Sequence, residues 1–151
     1  FLGQFSELYR YVLNNANKEV ITIQEEILFT QNYFELMEKK YQGYYQLVIE
    51  DTIKNSSIIV PPFCLQVVVE NAIVHNLGTA KIPVIITISM RNGIEITNNK
   101  IALKSKKVGN GIALKNLSEQ FMLLTNAPII IKDTREIFSV TLPCIKTNTN
   151  D

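Results

Sequence analysis

Apolar residues recur at helical spacing over residues 1–14, where Leu2, Phe5, Tyr9 and Val12 form a stripe that Leu8 widens. The polar cluster Asn14 to Lys18 ends that helix. Thr22 followed by Glu25 reads as a capping box opening a second helix. Its apolar line runs Ile27, Phe34, Met37, Tyr41, and Gly43 stops it. Residues 44–51 have strand composition. Pro61 and Pro62 suit the first turn of a helix. The stretch that follows, Leu65 to Asn76, is apolar nearly all the way round, which marks a helix buried in the core. Pro83 to Met90 and Gly93 to Thr97, joined through Asn92-Gly93, predict a hairpin. A polar, lysine-rich loop spans roughly residues 98–108, and Gly109-Asn110-Gly111 leads into a helix carrying Ile112, Leu114, Leu117, Phe121 and Leu124. Ile129 to Lys132 and Ile137 to Leu142 close the chain as a strand pair. The order helix, helix, strand, helix, strand, strand, helix, strand, strand predicts an α+β fold in two layers. Its mixed sheet would carry helices on one face, preceded by two connector helices.

The polar residues inside the apolar helix over 65–76 carry the most information. Gln66 and Glu70, and Asn71 and His75, are each four positions apart, which puts both members of a pair on one side. A carboxylate and two amides in so oily a helix are costly unless something bonds them. Either the protein satisfies them internally or they face a pocket that holds a polar ligand. Glycines at 109 and 111 would let the backbone approach phosphate groups at a helix start, although a glycine before a helix is by itself most simply a turn. Asn98-Asn99 after a strand could turn a side-chain amide toward a heterocycle edge, although such a pair also marks turns.

Composition narrows the classes. The 151 residues suit one domain, and 46% hydrophobic residues suffice for a substantial core. Fifteen basic against fourteen acidic residues leave a net charge of +1. The short run of Lys104, Lys106 and Lys107 reads as a solvated loop face. That argues against nucleic acid as the main partner, because phosphate-backbone binding needs clustered cations. Cys64 and Cys144 are too few for a disulfide framework and lack metal-ligand spacing, so they read as buried, reduced thiols. No apolar run approaches the ~20 residues that cross a bilayer, no secretory leader is evident, and a start at Phe1 suggests a piece of something longer.

In order, these segments resemble a known family. Ile59 to Asn76, through Pro61-Pro62, Leu65-Gln66 and Glu70-Asn71-Ala72-Ile73-Val74-His75-Asn76, is similar to the N-box of sensor histidine kinases of the LytS class. Gly109-Asn110-Gly111-Ile112-Ala113-Leu114-Lys115-Asn116-Leu117 resembles the second glycine box of that class. Leu8 to Leu13, Ile21 to Glu26 and Glu136 to Pro143 also match its usual text. The resemblance implies the Bergerat (GHKL) ATP-binding fold and a division of the chain into three parts. Residues 1–43 would be the tail of the dimerisation and phosphoacceptor region with its following helix, 44–146 the ATP-binding catalytic domain, and 147–151 a disordered tail. Asn71 would coordinate Mg²⁺ that bridges the phosphates, with Glu70 beside it as the second catalytic residue, a carboxylate behind the metal's own ligands or one that orients water. ATP would be held by Asn71, His75, Asn98, Gly109, Gly111, Leu114 and Asn116, under a lid formed by residues 98–108.

The implied activity is transfer of the ATP γ-phosphoryl group to a histidine upstream of this chain, whose one histidine is His75. The implied partners are a response regulator and a second copy bound through upstream helices. The implied location is the cytoplasmic portion of an inner-membrane protein. Two departures stand out. Asn98-Asn99-Lys100 occupies the place of the family's first glycine box, where an Asp followed by glycines is usual, so an adenine amino group would meet an amide oxygen without charge assistance. Val74 replaces a basic residue. Two other readings follow: a degenerate, catalytically weak relative serving dimerisation or signal relay, and a different ATPase on the same nucleotide fold.

Overall fold

The structure, a computed structural model, describes residues 2–41, 44–101 and 111–145. Helix α1 (Leu2–Asn15) leads to a two-residue strand β1 (Ile21–Thr22) and the long helix α2 (Ile23–Tyr41). The capping box is formed: the Thr22 hydroxyl accepts the Glu25 amide at 3.2 Å, satisfying one orphan donor of the first turn. Strand β2 (Tyr45–Ile49) is shorter than the 44–51 expected, because residues 51–54 turn into a short helix α3 (Asp51–Lys54). A second two-residue strand, β3 (Ile59–Val60), precedes helix α4 (Cys64–His75). Pro61 and Pro62 lie before that helix rather than in its first turn. Phe63, at φ 71°, is the residue that turns the chain into it.

The hairpin is present as β4 (Val84–Met90) and β5 (Ile94–Asn99), closed where the Arg91 amide donates to the Gly93 carbonyl at 2.9 Å. Gly93 has φ 145°, and a Cβ there would meet the Leu142 carbonyl oxygen at 2.6 Å, so no other residue fits. Helix α5 (Ile112–Thr125) and the pair β6 (Ile130–Asp133) and β7 (Ile137–Leu142) complete the order. The main sheet runs β2-β4-β5-β7-β6, with β2 parallel to β4 and every other pair antiparallel. Asn98 and Asn99 do not follow β5 as a turn; they are its last two residues, paired with Phe138 and Ile137 of β7. The mixed two-layer α+β architecture is therefore the one expected.

Ile86, Ile88, Ile94, Ile96, Val140 and Leu142 fill one face of the sheet and are almost wholly buried. Leu65, Val68, Val69, Ala72 and Ile73 of α4 pack on them with Leu117 and Phe121 of α5. Packing does not divide at residue 43: Ile23, Ile27 and Phe34 of α2 belong to the same core. β1 and β3 pair antiparallel, Ile21 with Val60, tying the start of α2 to the segment before α4. α1 attaches by a smaller cluster in which Tyr11 stacks on Phe29 at 4.4 Å and both rings meet Phe63 edge-on. Cys64 is buried as expected, whereas Cys144 is half-buried near the Met90 sulfur, and both are free thiols. Among the described residues no helix is long and apolar enough to cross a membrane.

Candidate functional site

Helix α4 is not buried all round. One face carries Cys64, Leu65, Val68, Val69, Ala72 and Ile73 into the core, while Glu70 is exposed and Asn71 and His75 are half-buried. The apolar residues that made the helix look enclosed, Val67 and Val74, line a hollow instead. That hollow is bounded by Glu70, Asn71, His75, Gly111 and Leu114. It adjoins a cavity of about 450 Å³ walled by Asn71, His75, Asn98, Lys100, Gly111, Leu114, Asp133 and Phe138, among others. Three segments distant in sequence therefore meet: the outer face of α4, the end of β5 and the start of α5.

Each side chain is held by its element. Gly111 takes φ 67°, the left-handed conformation that glycine adopts freely, and this places it at the mouth of α5. Among the described residues nothing lies within 4 Å of where a Cβ on Gly111 would stand. Asn98 is 3% exposed, and its Nδ2 donates to the Asn99 carbonyl at 2.9 Å, leaving Oδ1 as the atom able to accept. Asn99, the neighbour, is structural: its amide donates to Pro83 and its oxygen accepts from the Ile85 amide at 2.7 Å. Among the described residues the side chains of Asn71 and His75 have no hydrogen-bond partner, so both remain available to the cavity. Lys100 and Asp133 pair at 2.6 Å on its rim.

Glu70 is tied differently. Its Oε2 accepts from the Tyr33 hydroxyl at 2.8 Å and from Gln66 Nε2 at 2.9 Å, the second being the i,i+4 pair expected from the sequence. Asn71 and His75 share the face but make no bond to each other. Asn116 is not part of this cavity; α5 turns it to a separate hollow lined with Pro62, Phe63, Val67 and Gln120. Gly109, the lysines at 104, 106 and 107, most of the expected lid and the tail at 147–151 lie outside the described residues. Among the described residues no three His, Cys, Asp or Glu come together as a metal site.

Two residues that carry the site were not anticipated. Asn76, directly after α4, is buried and bridges two layers: Nδ2 donates to the Ala72 carbonyl and Oδ1 accepts the Ile101 amide, both at 2.9 Å. It thereby fixes where the chain leaves β5 above the cavity. Glu26 of α2 is fully buried. Its oxygens accept the amides of Phe63 at 2.8 Å, Leu65 at 3.0 Å and Gln66 at 3.3 Å, capping a helix start that has no side-chain cap of its own. Burial pushes the Glu26 carboxyl up to about 7, and the amide bonds only partly offset this.

The family described as Histidine kinase matches residues 1–45. The sensor histidine kinase/phosphatase LytS of Staphylococcus aureus is 28% identical over 135 residues, covering 78% of this chain and 23% of its own length. The chain thus spans about a quarter of the curated relatives it matches. Among solved structures, the catalytic domain of histidine kinase ThkA superposes with a TM-score of 0.54 at 14% identity, covering 82% of this chain and 94% of that one. Full-length ShkA in complex with AMPPNP gives 0.56 at 14% identity over 93% of this chain and 36% of that one. The Acinetobacter baumannii kinase AdeS gives 0.53 at 13% identity, over 97% and 79%. The fold is similar to that of histidine kinase catalytic domains, and the sequence is similar to LytS.

Proposed function

We propose that this chain is the ATP-binding catalytic part of a two-component sensor histidine kinase, transferring the γ-phosphoryl group of ATP to a histidine upstream of Phe1 in the parent protein. The observation that carries this is the meeting of Asn71, His75, Asn98 and Gly111 on one cavity, although they come from three separate segments. Asn98 Oδ1 can accept from a 6-amino group on a purine. Leu114 and Phe138 offer apolar walls for the base, and Gly111 leaves room for phosphates where α5 begins. His75 lines both this cavity and the hollow beside it.

The donor set fits Mg²⁺, a hard cation that takes a few oxygens and keeps waters and phosphates for the rest, and Asn71 would hold it. Such an ion neutralises charge on the phosphates. Glu70, at the edge of the same hollow, offers a fixed acceptor toward the transferring group. In the transfer a nitrogen of the acceptor imidazole bonds to the γ-phosphorus as the bond to the bridging oxygen breaks and ADP departs, a reaction in which positioning supplies most of the acceleration. On this reading residues 1–43 join the phosphoacceptor region to the catalytic domain, and the remainder of the chain to residue 146 completes that domain. The parent works as a homodimer through upstream helices, hands its phosphate to a response regulator and presents this portion to the cytoplasm.

Titration with a fluorescent ATP analogue and Mg²⁺ tests the site. The wild-type chain should bind saturably, and Asn71→Ala should weaken binding roughly 100-fold, the upper range for disturbing a metal's ligand set. Equal binding by that variant refutes the assignment. The amide at Asn98, in place of a carboxylate, favours a second reading in which the domain binds but turns over poorly. Phosphoryl transfer by the full-length protein at an ordinary kinase rate would exclude it.

A further inference from the structure

Tyr33 stands on α2, away from the nucleotide cavity, yet its hydroxyl donates to Glu70 Oε2 at 2.8 Å. Gln66, one turn before Glu70 on α4, donates to the same oxygen at 2.9 Å. Both donors converge on one oxygen, and among the described residues neither they nor any other group bonds Oε1. A glutamate exposed on a helix would otherwise sample several rotamers. Here one oxygen is anchored while the residue still borders the hollow shared with Asn71 and Gly111.

The ring of Tyr33 meanwhile forms a wall of the apolar groove between α1 and α2, together with Phe5, Leu8, Phe29 and Met37. A phenylalanine would fill that wall equally well, so packing does not explain the hydroxyl. Burial, and then the Glu70 carboxylate, push the Tyr33 hydroxyl upward, which favours its role as a donor.

We propose that Tyr33 is a positioning residue for the phosphoryl-transfer step: with Gln66 it fixes the Glu70 carboxylate at the phosphate end of the cavity, and it does so from the helix that packs against α1. The proposal rests on the kinase reading above. An acceptor oriented before the nucleophile arrives gives up less freedom in the transition state than one that must be recruited. Its loss should therefore appear in the rate of transfer and leave nucleotide affinity alone.

The test uses the full-length parent protein, with single-turnover histidine phosphorylation at saturating MgATP and nucleotide affinity measured side by side. Tyr33→Phe should slow transfer about tenfold, equivalent to ~1.4 kcal/mol of barrier, while the nucleotide Kd stays within about twofold. Gln66→Met should give a smaller drop of the same kind. In a Glu70→Gln background, Tyr33→Phe should add less than about twofold, because both changes act through one carboxylate. A transfer rate unmoved by Tyr33→Phe, an undiminished tenfold drop in the Glu70→Gln background, or an affinity that falls in step with the rate would each overturn the proposal while leaving the kinase reading intact. A wild-type protein that binds no nucleotide would overturn both.

Discussion

Glu26 and Glu70 both bear on α4, and their surroundings are nearly inverse. Glu26 comes from α2, is wholly buried and faces the helix start with both oxygens on backbone amides. Glu70 belongs to α4 itself, is exposed, and is held by two side chains at the lip of a cavity. The buried carboxylate is structural: three amides would otherwise be orphaned at the N-terminus of the helix, where the backbone dipole also favours negative charge. The exposed carboxylate keeps an oxygen for something outside the protein. Burial of a charge is thus a poor guide to chemistry in this fold, and residual bonding capacity beside a cavity is a better one.

Three measurements would break or sharpen this contrast. The largest effect belongs to Glu26→Leu, which removes the acceptor and leaves buried amides unpaired. Unfolding in urea should show a loss of about 3 kcal/mol or more, and a loss below ~1 kcal/mol would mean that the cap is dispensable. The second is the dependence on pH. The folded Glu26 carboxyl is raised from 4.5 to about 7, so the folded state holds a proton that the unfolded chain has released. Its contribution is fully present below about 4.5 and is lost as pH rises through about 7. Wild-type stability, measured relative to Glu26→Gln, should therefore fall between pH 5 and pH 8. A difference that stays flat across that range contradicts the burial argument. The smallest effect is Glu70→Gln, which should shift the unfolding midpoint by less than about 0.5 kcal/mol, as exposed polar changes do. A larger shift would make Glu70 a second structural carboxylate.

The long elements were legible because their periods are long: α1, α2 and the hairpin each repeat over enough residues to be read. β1 and β3, two residues each, and the four-residue α3 have no period to show. The apolar run of α4 misled in an informative way. Val67 and Val74 face a hollow, and valines that line a ligand-sized cavity look like core valines in a sequence. Asn71, His75, Asn98, Gly111 and Leu114, far apart along the chain, share one cavity, whereas α5 turns Asn116 to another hollow. Glu26 has a signal in the sequence. Ile23, Ile27, Thr30 and Phe34 lie on the buried stripe of α2, and Glu26 falls on that stripe while Glu25 does not. An acid on a core-facing position, four residues before a buried threonine, is visible in the spacing alone.

The reach of α2 into the start of α4 also bears on where this polypeptide can be cut. A version beginning at Tyr44 would keep all five strands of the main sheet yet lose Ile21, the partner of Val60, and the acid that closes the helix bearing Glu70 and Asn71. A piece that keeps this pairing and this cap has to begin before Ile21, some twenty residues earlier than the strands alone would suggest.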